Sequence, residues 1–206
     1  MTENKMETGT KRRGEPVRQR VLNAAERLLR NGKAEFSMRE LALEAGVSFA
    51  TPFNQFGSKP AIMHALSGRR IDAMMMRFDA LPQPPLAADR VALAIDIAVG
   101  VMLDEPIVNR AVMAWIGTGS ATSGEVRANS TALWAHALGE GTGLPSLRRD
   151  EACHILPRQL ALAFRGALSF WTAGELADEE LGPAARQIAD TLLRAYSFDQ
   201  KVGVGA

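Results

Sequence analysis

Apolar residues recur three and four positions apart along most of the chain, which is the spacing that lines one face of an α-helix. The first clear example lies in the segment PVRQRVLNAAERLLRNG. Glycine and proline interrupt the pattern at intervals, as they do at helix boundaries. We therefore expect an all-α protein. The apolar stripe of this first helix, predicted to be core, consists of Val21, Leu22, Ala25, Leu28 and Leu29.

Two short helices joined by a glycine turn are predicted in residues 36–56, FSMRELALEAGVSFATPFNQF. Ser37 stands at an N-cap position with Glu40 three residues later, which forms a capping box. Gly46 follows the first helix, and glycine adopts the left-handed conformation that ends helices without strain. Ser48 is expected to cap the second helix. This arrangement is a helix-turn-helix, whose second helix lies in the major groove of DNA.

A longer helix is predicted from Lys59 to the proline-rich break LPQPP, with Ser58 as its cap and Pro60 in its first turn. Five further segments are amphipathic or largely apolar, so they need packing partners on several sides. Their sequences are AADRVALAIDIAVGVML, EPIVNRAVMAWIG, GEVRANSTALWAHALGEG, LRRDEACHILPRQLALAFRGALSFWTAGEL and PAARQIADTLLRAYSF. Pro157 is expected to kink the fourth of them.

Charge is distributed unevenly, although the net charge is only +1. Residues 1–70 hold 13 Lys and Arg against 7 Asp and Glu, a balance of +6, whereas residues 71–206 hold 11 against 16, a balance of −5. The basic part contains the helix-turn-helix, which suits contact with phosphates. A chance distribution explains so modest an excess equally well.

The first fifteen residues, MTENKMETGTKRRGE, are polar and lack apolar periodicity. Residues 1–15 are therefore expected to form a disordered arm, made basic by Lys11, Arg12 and Arg13. Such an arm can follow phosphates or enter a minor groove. A solvated tail without a role is the alternative.

The composition narrows the class of protein further. The chain of 206 residues is long enough for a buried core in one or two domains. The one cysteine, Cys153, excludes an internal disulfide and agrees with a reducing compartment. No apolar run reaches membrane-spanning length and no cleavable signal peptide is evident, so we expect a cytoplasmic protein.

The run from Val17 to Leu66 resembles the TetR family of bacterial transcriptional regulators. The resemblance is carried by the ILxAAxxLLxxxG-like spacing of the first helix, then by SMRELALEAGVS and FNQFGSK. It implies a three-helix helix-turn-helix head in residues 16–66. It also implies that residues 67–206 form a helical ligand-binding and dimerisation domain.

The resemblance implies a set of DNA-binding residues at the matching positions. Phe49, Ala50 and Thr51 would contact bases, and Lys59 would contact phosphate. Phe53 stands where the family commonly has a tyrosine that touches phosphate. The full expected set is Ser37, Arg39, Ser48, Phe49, Ala50, Thr51, Phe53, Asn54, Gln55 and Lys59.

This second helix departs from the family pattern in its charge. Phe49 replaces a frequent lysine, Pro52 a frequent leucine, and Asn54 and Gln55 stand where basic residues or histidine are common. The helix therefore carries no charge of its own. Its sequence readout should depend on apolar contact with thymine methyl groups and on amide contacts with adenine.

The resemblance also implies a ligand pocket and a dimer interface in the remaining helices. The candidate pocket residues are Met75, Phe78, Met102, Asn109, Met113, Trp115 and Trp134, and ordinary packing is the alternative for each. The candidate dimer residues are Leu160, Phe164, Leu168, Trp171, Ile188 and Leu192, and intrachain core is the alternative there. A homodimer suits a palindromic DNA site.

These inferences predict a dimeric DNA-binding transcriptional regulator, expected to be a repressor released from a palindromic operator by a small apolar or aromatic ligand. A helical dimeric interaction protein that has lost specific DNA binding is the alternative, favoured by the uncharged helix. Enzyme chemistry is not indicated, because His64, His136 and His154 lack metal-ligand spacing and Cys153 is a sequence neighbour of His154. No cofactor or metal is expected.

Overall fold

The computed structural model describes the backbone of residues 7–116 and 125–196, and the side chains of those residues from Pro16 onward. Within these ranges all regular structure is helical, which confirms the predicted all-α class. A 3₁₀ turn, Ser146–Arg148, precedes the eighth α-helix. The helices are α1 (Glu7–Arg30), α2 (Met38–Ala45), α3 (Ala50–Phe56), α4 (Lys59–Asp79), α5 (Ala87–Asp104), α6 (Pro106–Ile116), α7 (Glu125–Leu138), α8 (Arg149–Ala173) and α9 (Asp178–Arg194).

The first helix is longer than the sequence pattern predicts. It begins at Glu7 and continues through Pro16, whereas the pattern predicts a disordered arm up to residue 15. Proline has a backbone φ that fits a helix, but inside the helix it removes one N–H donor and its ring crowds the carbonyl four residues back. The side chains of Lys11, Arg12 and Arg13, expected to make this arm basic, lie outside the described residues.

The chain divides into two compact units. The head unit contains α1, α2, α3, the part of α4 up to Ser67, and α6. The body unit contains α4 from Gly68 onward, together with α5, α7, α8 and α9. The resemblance implies that all of residues 67–206 form the second domain, but α6 lies with the head because Val108 and Val112 enter the head core.

The core of the head unit is built on the apolar stripe of α1. All five predicted stripe residues are buried, and Leu41 of α2 and Ile62 of α4 pack into the same cluster. Burying a side chain of this size contributes about 1.5–3 kcal/mol. The short helix pair therefore packs against the apolar stripe of α1.

The local chemistry around α2 follows the sequence prediction closely. The backbone N–H of Glu40 donates to the Ser37 hydroxyl over 3.2 Å, and the Ser37 N–H donates to the Glu40 carboxylate over 2.8 Å. Gly46 ends the helix in the left-handed conformation, with φ of 61°. Ser58 caps α4 by accepting from the N–H of Ala61.

The start of α3 differs from the prediction. Ser48 is not its side-chain cap, because the helix begins at Ala50 after Phe49. The Ser48 hydroxyl instead lies 2.8 Å from that of Thr51. A hydroxyl paired with another hydroxyl leaves the N-terminal N–H groups of α3 without a side-chain acceptor.

The body unit has its own core around two fully buried tryptophans. Trp134 of α7 packs edge to face against Phe164 of α8, with ring centroids 5.4 Å apart. The indole N–H of Trp171 donates to Asp178 at the start of α9 over 2.7 Å. Pro157 is buried inside α8, which continues through it as a helix. Among the described residues no helix has both the length and the apolar character needed to cross a membrane.

Four of the six residues expected at a dimer interface are instead part of this core. Leu160, Phe164, Leu168 and Trp171 are buried within the single chain, with at most 7% of each side chain exposed. Only Ile188 and Leu192 of the expected set remain partly exposed. The apolar stripe that the sequence predicts on α8 is present, and it packs against α7 and α9 of the same chain.

The capping box predicts a pH dependence of stability. Hydrogen bonds to Glu40 from the N–H and then the hydroxyl of Ser37 lower the pKa of its carboxyl below the ordinary value of 4.5. The stabilisation is therefore complete above that ordinary value, and it is lost as the pH falls through the lowered folded-state pKa.

We expect Glu40→Gln to remove this dependence, because glutamine can accept the same hydrogen bond but does not titrate. Urea unfolding of both proteins at a series of pH values provides the test. The wild type should lose stability relative to the variant as the solution becomes acidic. If the difference in free energy of unfolding between the two proteins stays constant with pH, Glu40 is not the source of the pH dependence.

Candidate nucleic-acid interface

The outer face of α3 is apolar and open to solvent. Phe49 and Phe53 are 57% and 54% exposed, and Ala50 and Asn54 are exposed beside them. Pro52, in contrast, is buried. Five of the residues that the resemblance assigns to DNA are therefore exposed here: Ser48, Phe49, Ala50, Phe53 and Asn54. Thr51 and Gln55 are partly buried.

An arginine of α2 lies against the first of these phenylalanines. The Arg39 guanidinium carbon is 5.0 Å from the centroid of the Phe49 ring, and Arg39 is itself exposed. This cation–π contact restrains the Phe49 ring at the solvent surface. Arg39 thus supplies a positive charge beside a helix that has none.

Lys59 is more enclosed than its expected phosphate role suggests. Its ammonium nitrogen lies 4.7 Å from the Phe36 ring centroid and 4.5 Å from that of Trp115. Only 13% of its side chain is exposed, and Glu35 lies 3.7 Å away. Lys59 therefore stabilises the junction of α4 and α6 in the head unit.

Ser37 is also engaged within the protein. Both its N–H and its hydroxyl lie 2.8 Å from the same Glu40 carboxylate oxygen. A carboxylate at a helix N-terminus opposes the approach of a second anion, because both compete for the same N–H groups. Among Ser37, Arg39 and Lys59, Arg39 has the geometry best suited to a phosphate.

Arginines of α1 reach the C-terminal ends of α2 and α3. Arg20 donates to the carbonyls of Ala45 and Gly46, over 3.1 Å and 2.8 Å. Arg18 donates to the carbonyl of Gln55 over 2.7 Å. Local sequence patterns do not reveal these contacts, since the partners lie 25–37 residues apart along the chain.

The candidate ligand residues are divided between the two units. Asn109, Met113 and Trp115 lie on α6 in the head unit, where Trp115 packs against the head core. The other four lie in the body unit, where Phe78, Met102 and Trp134 are buried and Met75 is partly buried. The expected residues thus form two sets, one in each unit.

Two features of the described residues concern metal binding and the reactivity of the cysteine. No group of three His, Cys, Asp or Glu side chains there is arranged to hold a metal ion. Burial raises the pKa of the Cys153 thiol, which favours the protonated form rather than a nucleophilic thiolate.

Comparison with known proteins agrees with this geometry. Residues 21–66 match the sequence model of the bacterial regulatory proteins of the tetR family. No curated protein matches the chain by sequence.

Two solved structures resemble the chain over most of its length. A TetR transcriptional regulator from Rhodococcus sp. RHA1 is 21% identical with a TM-score of 0.68, over 93% of this chain and 99% of that one. A protein from Streptomyces coelicolor A3(2), described as a transcriptional regulator, is 24% identical with a TM-score of 0.54, over 87% of this chain and 96% of that one. At these identities the likeness establishes the fold. The chain therefore matches the tetR family model over residues 21–66 and shares the fold of these two solved structures.

Proposed function

We propose that the protein is a cytoplasmic transcriptional regulator that binds double-stranded DNA through α3. The observation that carries this proposal is the exposed face of α3, where two phenylalanines lie in solvent although the neighbouring proline is buried. Large apolar side chains more than half exposed on a short helix indicate a contact surface. The family match over the same helices supports DNA as the partner.

Sequence readout would come from the uncharged side chains of α3. Phe49, Ala50 and the Thr51 methyl group suit contact with thymine methyls, and Asn54 or Gln55 suits an adenine edge. Phosphate contacts fix the register of a protein on DNA but do not specify sequence. In this head unit Arg39 is the favoured phosphate contact, with Lys59, Ser48 and Ser37 in lesser roles.

A homodimer would place two copies of α3 on a two-fold axis, as a palindromic operator requires. The apolar stripe of α8 is buried within the single chain, so we propose that the interface uses the opposite face of that helix. Leu162 and Phe170 are 64% and 58% exposed there, and a Cβ added at Gly166 between them would meet open space. A helix from a second copy could approach closely at such a glycine.

A small apolar or aromatic ligand would act on the body unit and release a repressor from its operator. The supporting residues are now Met75, Phe78, Met102 and Trp134, since these four lie in one unit. Methionine and aromatic side chains adapt readily to apolar molecules. Trp115 of the expected set packs against the head core instead.

The second candidate is a helical dimeric interaction protein without specific DNA binding. The uncharged α3 favours it, because exposed Phe49 and Phe53 also suit an apolar protein surface. Salt dependence separates the two functions, since DNA binding releases counterions and weakens steeply with salt.

Replacing Phe49 or Thr51 by alanine should change sequence preference. We expect each change to weaken binding to a duplex selected from random DNA by about 1–3 kcal/mol, with little effect on a scrambled duplex. Fluorescence anisotropy with both duplexes provides the measurement. Leu43→Ala is the control, because Leu43 is 76% exposed on α2 but is not among the expected contacts. Equal weakening on both duplexes would show that these residues do not read bases.

Arg39→Ala should weaken selected and scrambled duplexes alike. Loss of one phosphate contact should reduce the slope of log K against log salt by about 0.9. Lys59→Ala should reduce the slope less and lower thermal stability more, because the lysine is enclosed by two rings. A salt titration and a thermal melt of each variant test this order. If Lys59→Ala reduces the salt slope more than Arg39→Ala does, Lys59 rather than Arg39 is the favoured phosphate contact.

Phe170→Asp should convert the dimer to a monomer, because a carboxylate would be buried without a partner at the interface. Leu147→Asp is the matched control, since Leu147 is 87% exposed on the 3₁₀ turn. Sedimentation equilibrium measures the mass of each protein. A Phe170→Asp protein that remains dimeric would exclude this face of α8.

A further inference from the structure

Two arginines of α1 contact the two ends of the segment that contains the recognition helix α3 and the turn before it. At the turn, Arg20 of α1 donates to the carbonyls of Ala45 and Gly46. At the far end, Arg18 of α1 donates to the carbonyl of Gln55, and its guanidinium carbon lies 4.1 Å from the Phe56 ring centroid. The segment from Gly46 to Gln55 is therefore bounded by two arginine contacts.

These contacts supply what α3 lacks in its own sequence. The last carbonyls of any helix have no partner within it, and α3 has neither a side-chain N-cap nor a basic residue in its last turn. A guanidinium at the C-terminal end satisfies a carbonyl and opposes the negative end of the helix dipole. Stacking of Arg18 on Phe56 fixes the direction of approach.

The arginines are also poorly placed to act as phosphate contacts. Arg18 is partly buried and makes both a hydrogen bond and a stacking contact within the head unit. Arg20 is exposed, but one of its nitrogens makes two carbonyl contacts. Both residues precede the family match, which begins at residue 21.

We propose that Arg18 and Arg20 are positioning residues for DNA recognition. They set the orientation of α3 on α1 and thereby its discrimination between sequences, without contacting DNA themselves. Direct readout requires side chains to meet base edges within a fraction of an ångström, whereas nonspecific phosphate attraction tolerates displacement. Loss of a positioning residue should therefore reduce specificity more than general affinity. This inference rests on the proposed function.

The experiment compares full-length wild type, Arg18→Ala, Arg18→Lys and Arg27→Ala. Arg27 is the matched control, because it also lies on α1 and donates to a carbonyl of α2, that of Glu44, while its other hydrogen bond goes to the Glu44 carboxylate. Binding to a selected duplex and to a scrambled duplex is measured by anisotropy across a salt series. Amide hydrogen exchange of residues 47–57 is measured on the free proteins.

For Arg18→Ala we expect the ratio of selected to scrambled affinity to fall at least tenfold while the salt slope stays unchanged. Exchange in α3 should quicken, whereas Arg27→Ala should leave both the ratio and the exchange near wild type. Arg18→Lys, which keeps the charge but loses the planar guanidinium, should also lose specificity. If the Arg18→Ala variant does not fold, the Arg18→Lys variant tests the inference by itself.

Two results would overturn the inference. The first is equal weakening on both duplexes with the salt slope reduced by about 0.9, which identifies Arg18 as a phosphate contact. The second is an unchanged affinity ratio in both Arg18 variants. Wild-type protein that binds neither duplex at low salt would instead refute the proposed function, so the two failures are distinguishable.

Discussion

The structure of the head unit depends on support for its shortest helix, since a helix of seven residues is not stable by itself in water. Helix α3 is that short, and it has no side-chain N-cap and no charge. Its stability must come from the surface on which it lies. The buried stripe of α1, the burial of Pro52 and the Arg18 contact at its C-terminal end together hold it in place.

This arrangement separates the sources of affinity and specificity. The residues that would read bases are uncharged and lie on α3 or directly before it, whereas the exposed cation Arg39 lies on α2 and contacts Phe49. Arginines of α1 act on the backbone rather than on solvent. Positive charge in the head unit thus serves two purposes, attraction of phosphates and support of the helix that would meet the bases.

Local features of the fold were predictable from sequence, and long-range partners were not. The capping box of Ser37 and Glu40 and the turn at Gly46 depend on residues within ten positions, so their sequence pattern is sufficient. The stripe of α8 shows the limit of periodicity, which identifies an apolar face but not the helix that covers it. Membership of α6 in the head unit likewise depends on Val108 and Val112 meeting a core formed more than forty residues earlier.

The most direct test of the central proposal is amide hydrogen exchange of the protein alone and with a duplex selected from random DNA. If α3 lies in the major groove, binding should slow exchange in residues 48–56 by a factor that disappears at high salt, because phosphate contacts weaken with ionic strength. DNA binding that protects other segments and leaves α3 unchanged would contradict the assignment of α3 as the recognition helix.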